Sequence, residues 1–226
     1  MLPNGHIVVI DMAVKALDHP LTTKYRKAII LGALREDVWY LPVLKTTWEH
    51  LSICHFYKPG LPGGIFPFVS WGPRLRANQF FCRAVKEFRA GRTASAFVQL
   101  GRANHIIADL LCPVHAHRVI HQWDPFEWYV ESHMEDFRDL PVPEIPDGER
   151  VSDLVEGLAR FTQPFPADGT NHPLGRLLKR LGILEKPDPR LSREHAPILV
   201  AQAAGYSVAH LRMFLRTVGA WEPVPA

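Results

Sequence analysis

Residues 105–115 read HIIADLLCPVH. Two histidines and an aspartate stand in a run that is otherwise apolar, where a desolvated, unpartnered polar group is costly. His105 and Asp109 are four apart, which puts them on one helix face, one turn from each other. Pro113 is expected to end that helix, so that His115 turns into the same cleft from another direction. One His–Asp pair can be an ordinary hydrogen-bonded core pair. A zinc site of His and carboxylate ligands needs three or four such groups to converge, so the rest of the chain decides the matter.

Further candidates lie on both sides. NGHIVV places His6 at the head of an apolar helix, REDVWY places Asp37 at the end of another, and ICHFYKPG places His55 at the mouth of a long loop. HQWDPFEWYVE follows His115 with His121, Asp124, Glu127 and Glu131. Each polar group sits at an element end beside apolar sequence. One alone reads as a cap or a surface residue; together they do not read as solvation.

The surrounding pattern is helical. Residues 6–17 form a buried helix, and Thr22 or Thr23 caps a second that runs to about Glu36. A short helix covers 46–54, followed by a loop over 56–75 with four prolines and four glycines. Helices then cover about 78–90, closed by Gly91, and from Thr93 to Pro113. Asp124 caps the next, with Pro125 first and Glu127 third. A polar connection at 139–149 leads to helices near 150–161, 171–183 and Ser192 to Val218. Strand signals are almost absent, so the fold is expected to be all-α, with residues 1–226 in one domain.

Composition narrows the function. Hydrophobic residues make 47% and charged residues 22%, as in ordinary globular proteins, and the formal charge of +3 is too weak for a polyanion binder. Twelve histidines in 226 residues is the anomaly. Cys54, Cys82 and Cys112 show no paired spacing and are expected to be reduced and buried. No apolar run near 18 residues marks a transmembrane helix, and no leader opens the chain. The expected location is cytoplasmic if Met1 is the native start, and extracellular if a leader has been removed.

The order His6, Asp37, His55, then His105-x3-Asp109-x5-His115 with His and Glu beyond, resembles the zinc-dependent phospholipase C and S1/P1 nuclease superfamily. The resemblance also includes Gly5-His6 and His55-Phe56-Tyr57, and it runs to about residue 131. Nothing resembles the β-sandwich that some toxins of that family carry. The resemblance implies up to three zinc ions. Asp37, His55, His105 and Asp109 would hold one. Asp109 would bridge to a second held with His6 and the N-terminal residue, here Met1, with Asn4 or a water as a substitute. His115, a second histidine and a carboxylate would hold the third. The family spacing points at Trp123 for that histidine, which cannot ligate, so His121 is preferred over His117. Glu127 is preferred over Asp124.

Phosphodiester hydrolysis by an activated water follows from the resemblance, with Asp37 as the catalytic carboxylate. Trp39, Phe56, Phe66 and Trp71 are candidates for lining the substrate site. A lipid headgroup, a nucleotide or a small phosphoester would each suit such a site. An S1/P1-type nuclease, or a biosynthetic enzyme that reuses the scaffold, are the alternatives. Oligomeric state is not legible.

Overall fold

A computed structural model describes residues 1–35, 55–63, 72–119, 121, 124–168, 173–183, 188 and 190–221. Among these residues there are eleven helices and no strand, as the sequence pattern predicts. They are α1 (Pro3–Leu17), α2 (Pro20–Lys24), α3 (Arg26–Arg35), α4 (Pro73–Arg89), α5 (Thr93–Asp109) and α6 (Pro113–Ala116). Then follow α7 (Pro125–Ser132), α8 (Met134–Phe137), α9 (Val151–Thr162), α10 (Pro173–Arg180) and α11 (Arg190–Thr217). The short helix expected at 46–54 lies outside the described residues.

Helix α5 is the axis of the fold. Every residue from Leu100 to Ala116 is buried, including His105 and Asp109. Helices α3 and α4 pack along α5, while α11 packs against α1, α5 and α9. A helix enclosed on all sides has no polar face to reserve, which accounts for its near-continuous apolar sequence. The crossing with α3 is set by two glycines. A Cβ on Gly101 would lie 2.0 Å from the carbonyl oxygen of Ile29, and one on Gly32 would lie 2.0 Å from that of Val98. The two backbones meet where side chains are missing, and this fixes the depth at which α5 carries its polar end.

Helix boundaries differ from the sequence reading in a consistent way. Pro3, Pro20, Pro73, Pro113 and Pro125 all stand in the first turn of a helix. Proline lacks an N–H that is unused at that position, and its φ is already helical. Helix α4 therefore starts at Pro73 rather than near 78, shortening the loop. Helix α5 ends at Asp109, four residues before Pro113, and Pro113 opens α6 instead of stopping α5. The second-helix cap is His19, whose Nδ1 accepts from the Leu21 N–H, not Thr22 or Thr23. Thr22 is inside α2, and its hydroxyl donates to the His19 carbonyl.

The expectation for the cysteines needs correction. Cys112 is buried, but Cys82 is exposed; both are free thiols, and Cys54 lies outside the described residues. Helix α11 is long and apolar enough to cross a membrane by length and composition, a test that a buried core helix also passes. Most of that apolar stretch is buried inside the protein, with Leu199, Ala203, Leu211 and Phe214 in the core. His210, on the same helix, is a core histidine facing Asn104 at 3.3 Å.

The glycine crossing gives a direct test. Gly101→Ala forces α3 and α5 apart and is expected to cost about 3 kcal/mol through overpacking, with a matching fall in the urea midpoint. An unchanged midpoint would show that the helices can separate freely.

Candidate metal centre

The end of α5, the short α6, the start of α7 and the first residues of the chain meet in one buried volume. Asp109 lies at its middle, fully buried. The Met1 ammonium is 2.6 Å from Asp109 Oδ1, and His6 Nε2 is 3.2 Å from the same oxygen. On the other oxygen, Oδ2, His55 Nδ1 stands at 2.7 Å, His105 Nε2 at 3.3 Å and His115 Nδ1 at 3.5 Å. Glu127 forms the second focus. His115 Nε2 is 3.3 Å from its Oε1, and His121 Nε2 is 3.2 Å from its Oε2. Met1 joins the two foci, its ammonium lying 2.9 Å from Glu127 Oε1.

Local sequence chemistry explains these placements. Asp124 caps α7, its Oδ1 accepting from the Phe126 and Glu127 N–H groups at 3.0 and 3.1 Å, and this aims Glu127 inward. One turn later, Glu131 accepts from the N–H groups of Asn4 and Gly5 through Oε2. Helix α7 thereby grips the start of α1 and holds Met1 in place. Gly5 leaves room for Met1: a Cβ there would lie 2.7 Å from the Met1 Cγ and Sδ.

The donor set fits a cation. Two groups, His6–His105–Asp109 and His115–His121–Glu127, each bring their ligand atoms within 4.8 Å of one another. Asp109 Oδ2 and His115 Nδ1 are buried and close to their neighbours, yet make no aligned hydrogen bond. Several pairs stand 3.2–3.3 Å apart: His6 with Asp109, His105 with His55, His115 with Glu127, and His121 with Glu127. Ligand atoms bound tetrahedrally at zinc distances would stand about 3.3 Å from each other. His121 also has its Nδ1 against the Val119 carbonyl at 3.1 Å, which leaves Nε2 to face Glu127. A backbone acceptor of this kind fixes the orientation of a ligating imidazole.

The electrostatics are those of charges held without water. Burial works against ionising Asp109, but the Met1 ammonium and the nearby His105, His115 and His55 outweigh it and hold the carboxyl well below its usual range. Glu127 is held low in the same way by Met1, His115 and His121. Burial pushes His115 down to about 4, against the pull of Asp109. Burial also disfavours charge on His121, yet the hydrogen bond to Glu127 wins and its pKa is raised. Asp124 is pushed up to about 6 by burial and by Glu127.

Of the residues singled out from sequence, Met1, His6, His55, His105, Asp109, His115, His121 and Glu127 come together. His117 turns away, its Nε2 against the Phe165 carbonyl at 3.0 Å. Asp124 serves as the cap behind Glu127. Phe56 is buried, stacked on His115 with centroids 4.9 Å apart, and so forms a wall of the imidazole cluster. Asp37, Trp39, Phe66 and Trp71 lie outside the described residues. Sequence reasoning assigned no role to Glu131, although its i, i+4 relation to Glu127 was the available signal. It also missed the contact of Met1 with Glu127, which joins residues 126 apart in the chain and has no local signature.

No family model and no curated protein matches this sequence. Solved structures do. The fold matches alpha toxin from Clostridium absonum over 98% of this chain, with a TM-score of 0.67 and 18% identity. It matches Clostridium perfringens alpha-toxin, from an avian strain, over 96% of this chain, with a TM-score of 0.63 and 14% identity. The chain spans about two thirds of the length of these toxins, 67% and 64%. At such identities the likeness is one of fold, and it agrees with the all-α architecture expected from the sequence.

Burial of His115 has a measurable consequence in the metal-free chain. Its folded-state pKa of about 4 lies below the ordinary 6.5. Between these values the unfolded chain binds the proton and the folded chain does not, so this group's contribution to stability is lost as the pH falls through that window. Imidazole NMR at pH 5.5 should show His115 neutral. A titration near pH 6.5 would contradict the burial described.

Proposed function

We propose that this chain is a zinc-dependent phosphoesterase of the phospholipase C type, hydrolysing a phosphodiester with water, and that residues 1–226 form one domain. The observation that carries this reading is the pair of buried carboxylates, Asp109 and Glu127, ringed by five imidazoles at ligand spacing. Zinc, when bound, supplies a Lewis acid that neutralises phosphoryl oxygens and lowers the pKa of water.

The chain's own groups prepare for that chemistry. His6 and the Met1 amine, with Asp109 shared, would hold one ion, and His115, His121 and Glu127 another. His55 stands beside His105 and Asp109, where with Asp37 it would complete the ligands of a third. Asp109 stays ionised in a dry site and is shared by His6, His55 and His105. Asp37 is assigned as the carboxylate that orients the water and takes its proton. Phe56, against His115 and His121, keeps bulk water from the imidazoles. Packing of α5 holds these groups at fixed separations, so little reorganisation is needed when charge develops on phosphate.

Elemental analysis and turnover together test the reading. The purified protein should carry at least two zinc ions per chain, and Asp109→Asn should lose two of them while keeping its helical content. A chelator should lower turnover of bis-(p-nitrophenyl) phosphate by about a hundredfold or more, with recovery on adding zinc. Phosphatidylcholine and single-stranded DNA, assayed in parallel, separate a lipase from a nuclease. Fewer than two zinc ions, or turnover indifferent to the chelator, would overturn the proposal.

A further inference from the structure

Helix α10 has its apolar face turned outward. Leu174, Leu177, Leu181 and Ile183 are 59%, 51%, 61% and 67% exposed. Nine large apolar side chains among the described residues are conspicuously exposed, and these four fall within ten consecutive positions. The other five, such as Leu31 and Trp128, are scattered. At 100° per residue, Leu174, Leu177, Leu178 and Leu181 occupy one arc of about 100°. Arg176, Lys179 and Arg180 occupy the opposite arc. Gly175 is buried and Leu178 half-buried, so the helix touches the body of the protein along its flank and leaves Leu174, Leu177 and Leu181 in solvent.

Charge decides what such a face would meet. Residues 173–183 contain three cations and no acid, and their charge equals the whole chain's formal excess of +3. The remainder is neutral overall, so this one helix segment, apolar on one arc and cationic on the other, carries a charge equal to the chain's formal excess. A groove on a protein would take the leucines and leave the cations in water. An anionic bilayer uses both: leucines enter at the acyl boundary while Lys and Arg reach the phosphate layer. We infer that α10 is an interfacial helix that seats this protein on an anionic lipid surface.

The placement ties that seat to the candidate metal centre. Asp168 and Asp188, on either side of α10 in the sequence, line one cleft together with Asp124 and Phe126. Asp124 is the cap that aims Glu127. The described residues that precede and follow α10 in the sequence, Asp168 and Asp188, therefore lie at the part of the molecule that carries the second carboxylate of the centre. The purpose of α10 rests on the proposed function, since docking there would bring lipid phosphodiesters to the enzyme. The binding itself does not depend on turnover.

Co-sedimentation with vesicles tests the inference on the full chain. The protein should bind vesicles of phosphatidylcholine with phosphatidylserine, and more weakly those of phosphatidylcholine alone. L177E/L181E should lower binding by about tenfold or more. R176Q/K179Q/R180Q should remove the preference for phosphatidylserine and most of the salt dependence. Both variants alter exposed residues, and their turnover of soluble bis-(p-nitrophenyl) phosphate should match the parent protein. Absence of binding by the parent, or equal binding by L177E/L181E, would overturn the inference even if soluble turnover stands. Vesicle binding without zinc-dependent turnover would instead sink the proposed function and leave this inference intact. A dimer that L177E/L181E dissolves, with no vesicle binding, would assign the face to a second copy of the chain.

Discussion

A carboxylate without water must be surrounded by positive charge or by hydrogen-bond donors, and Asp109 imposes that requirement on the rest of the molecule. It sits at the last position of α5, within the fully buried run from Leu100 to Ala116. Among the described residues, the groups paired with it are imidazoles and the Met1 ammonium. Moving α5 outward by a turn would hydrate the group and release its partners. The glycine crossing of α3 and α5 prevents such a shift by bringing the two backbones into contact. Packing chemistry far from the polar groups therefore fixes how dry they are.

The second carboxylate is positioned by different means. Glu127 lies in the first turn of a short helix, where the Asp124 cap and Pro125 determine the direction of the backbone. Glu131 on the same helix secures the N-terminal segment, and Met1 spans the two carboxylates. A long helix supplies rigidity on one side, and a capped turn supplies orientation on the other. The histidines between them belong to four separate stretches of chain.

Much of this was legible before any coordinates. The four-residue spacing of His105 and Asp109 requires a shared helix face, and the polar groups at element ends converge as that spacing implies. Capping by Asp124 followed from its Asp-Pro-x-Glu setting. The ends of helices were harder to read because proline has two opposite meanings. Pro113 can stop a helix or begin one, and local sequence does not choose between them; tertiary packing of Leu110 and Leu111 does. The cap made by His19 was hidden for a related reason, since threonine is the commoner cap while the fold used a ring nitrogen. Contacts such as Met1 with Glu127 have no local signal, because chain topology alone brings them together.

The dispersal of these groups along the chain has a thermodynamic side. Residues 1, 6, 55, 105, 109, 115, 121 and 127 meet only when the helices have docked; in an extended chain they are far apart. A cation held among them acts as a reversible cross-link over more than half the sequence. Its affinity adds to the stability of the folded chain, because scattered donors in the unfolded state cannot match it. Catalytic equipment and structural staple would then be one object, and stripping the metal would loosen the protein as well as silence it.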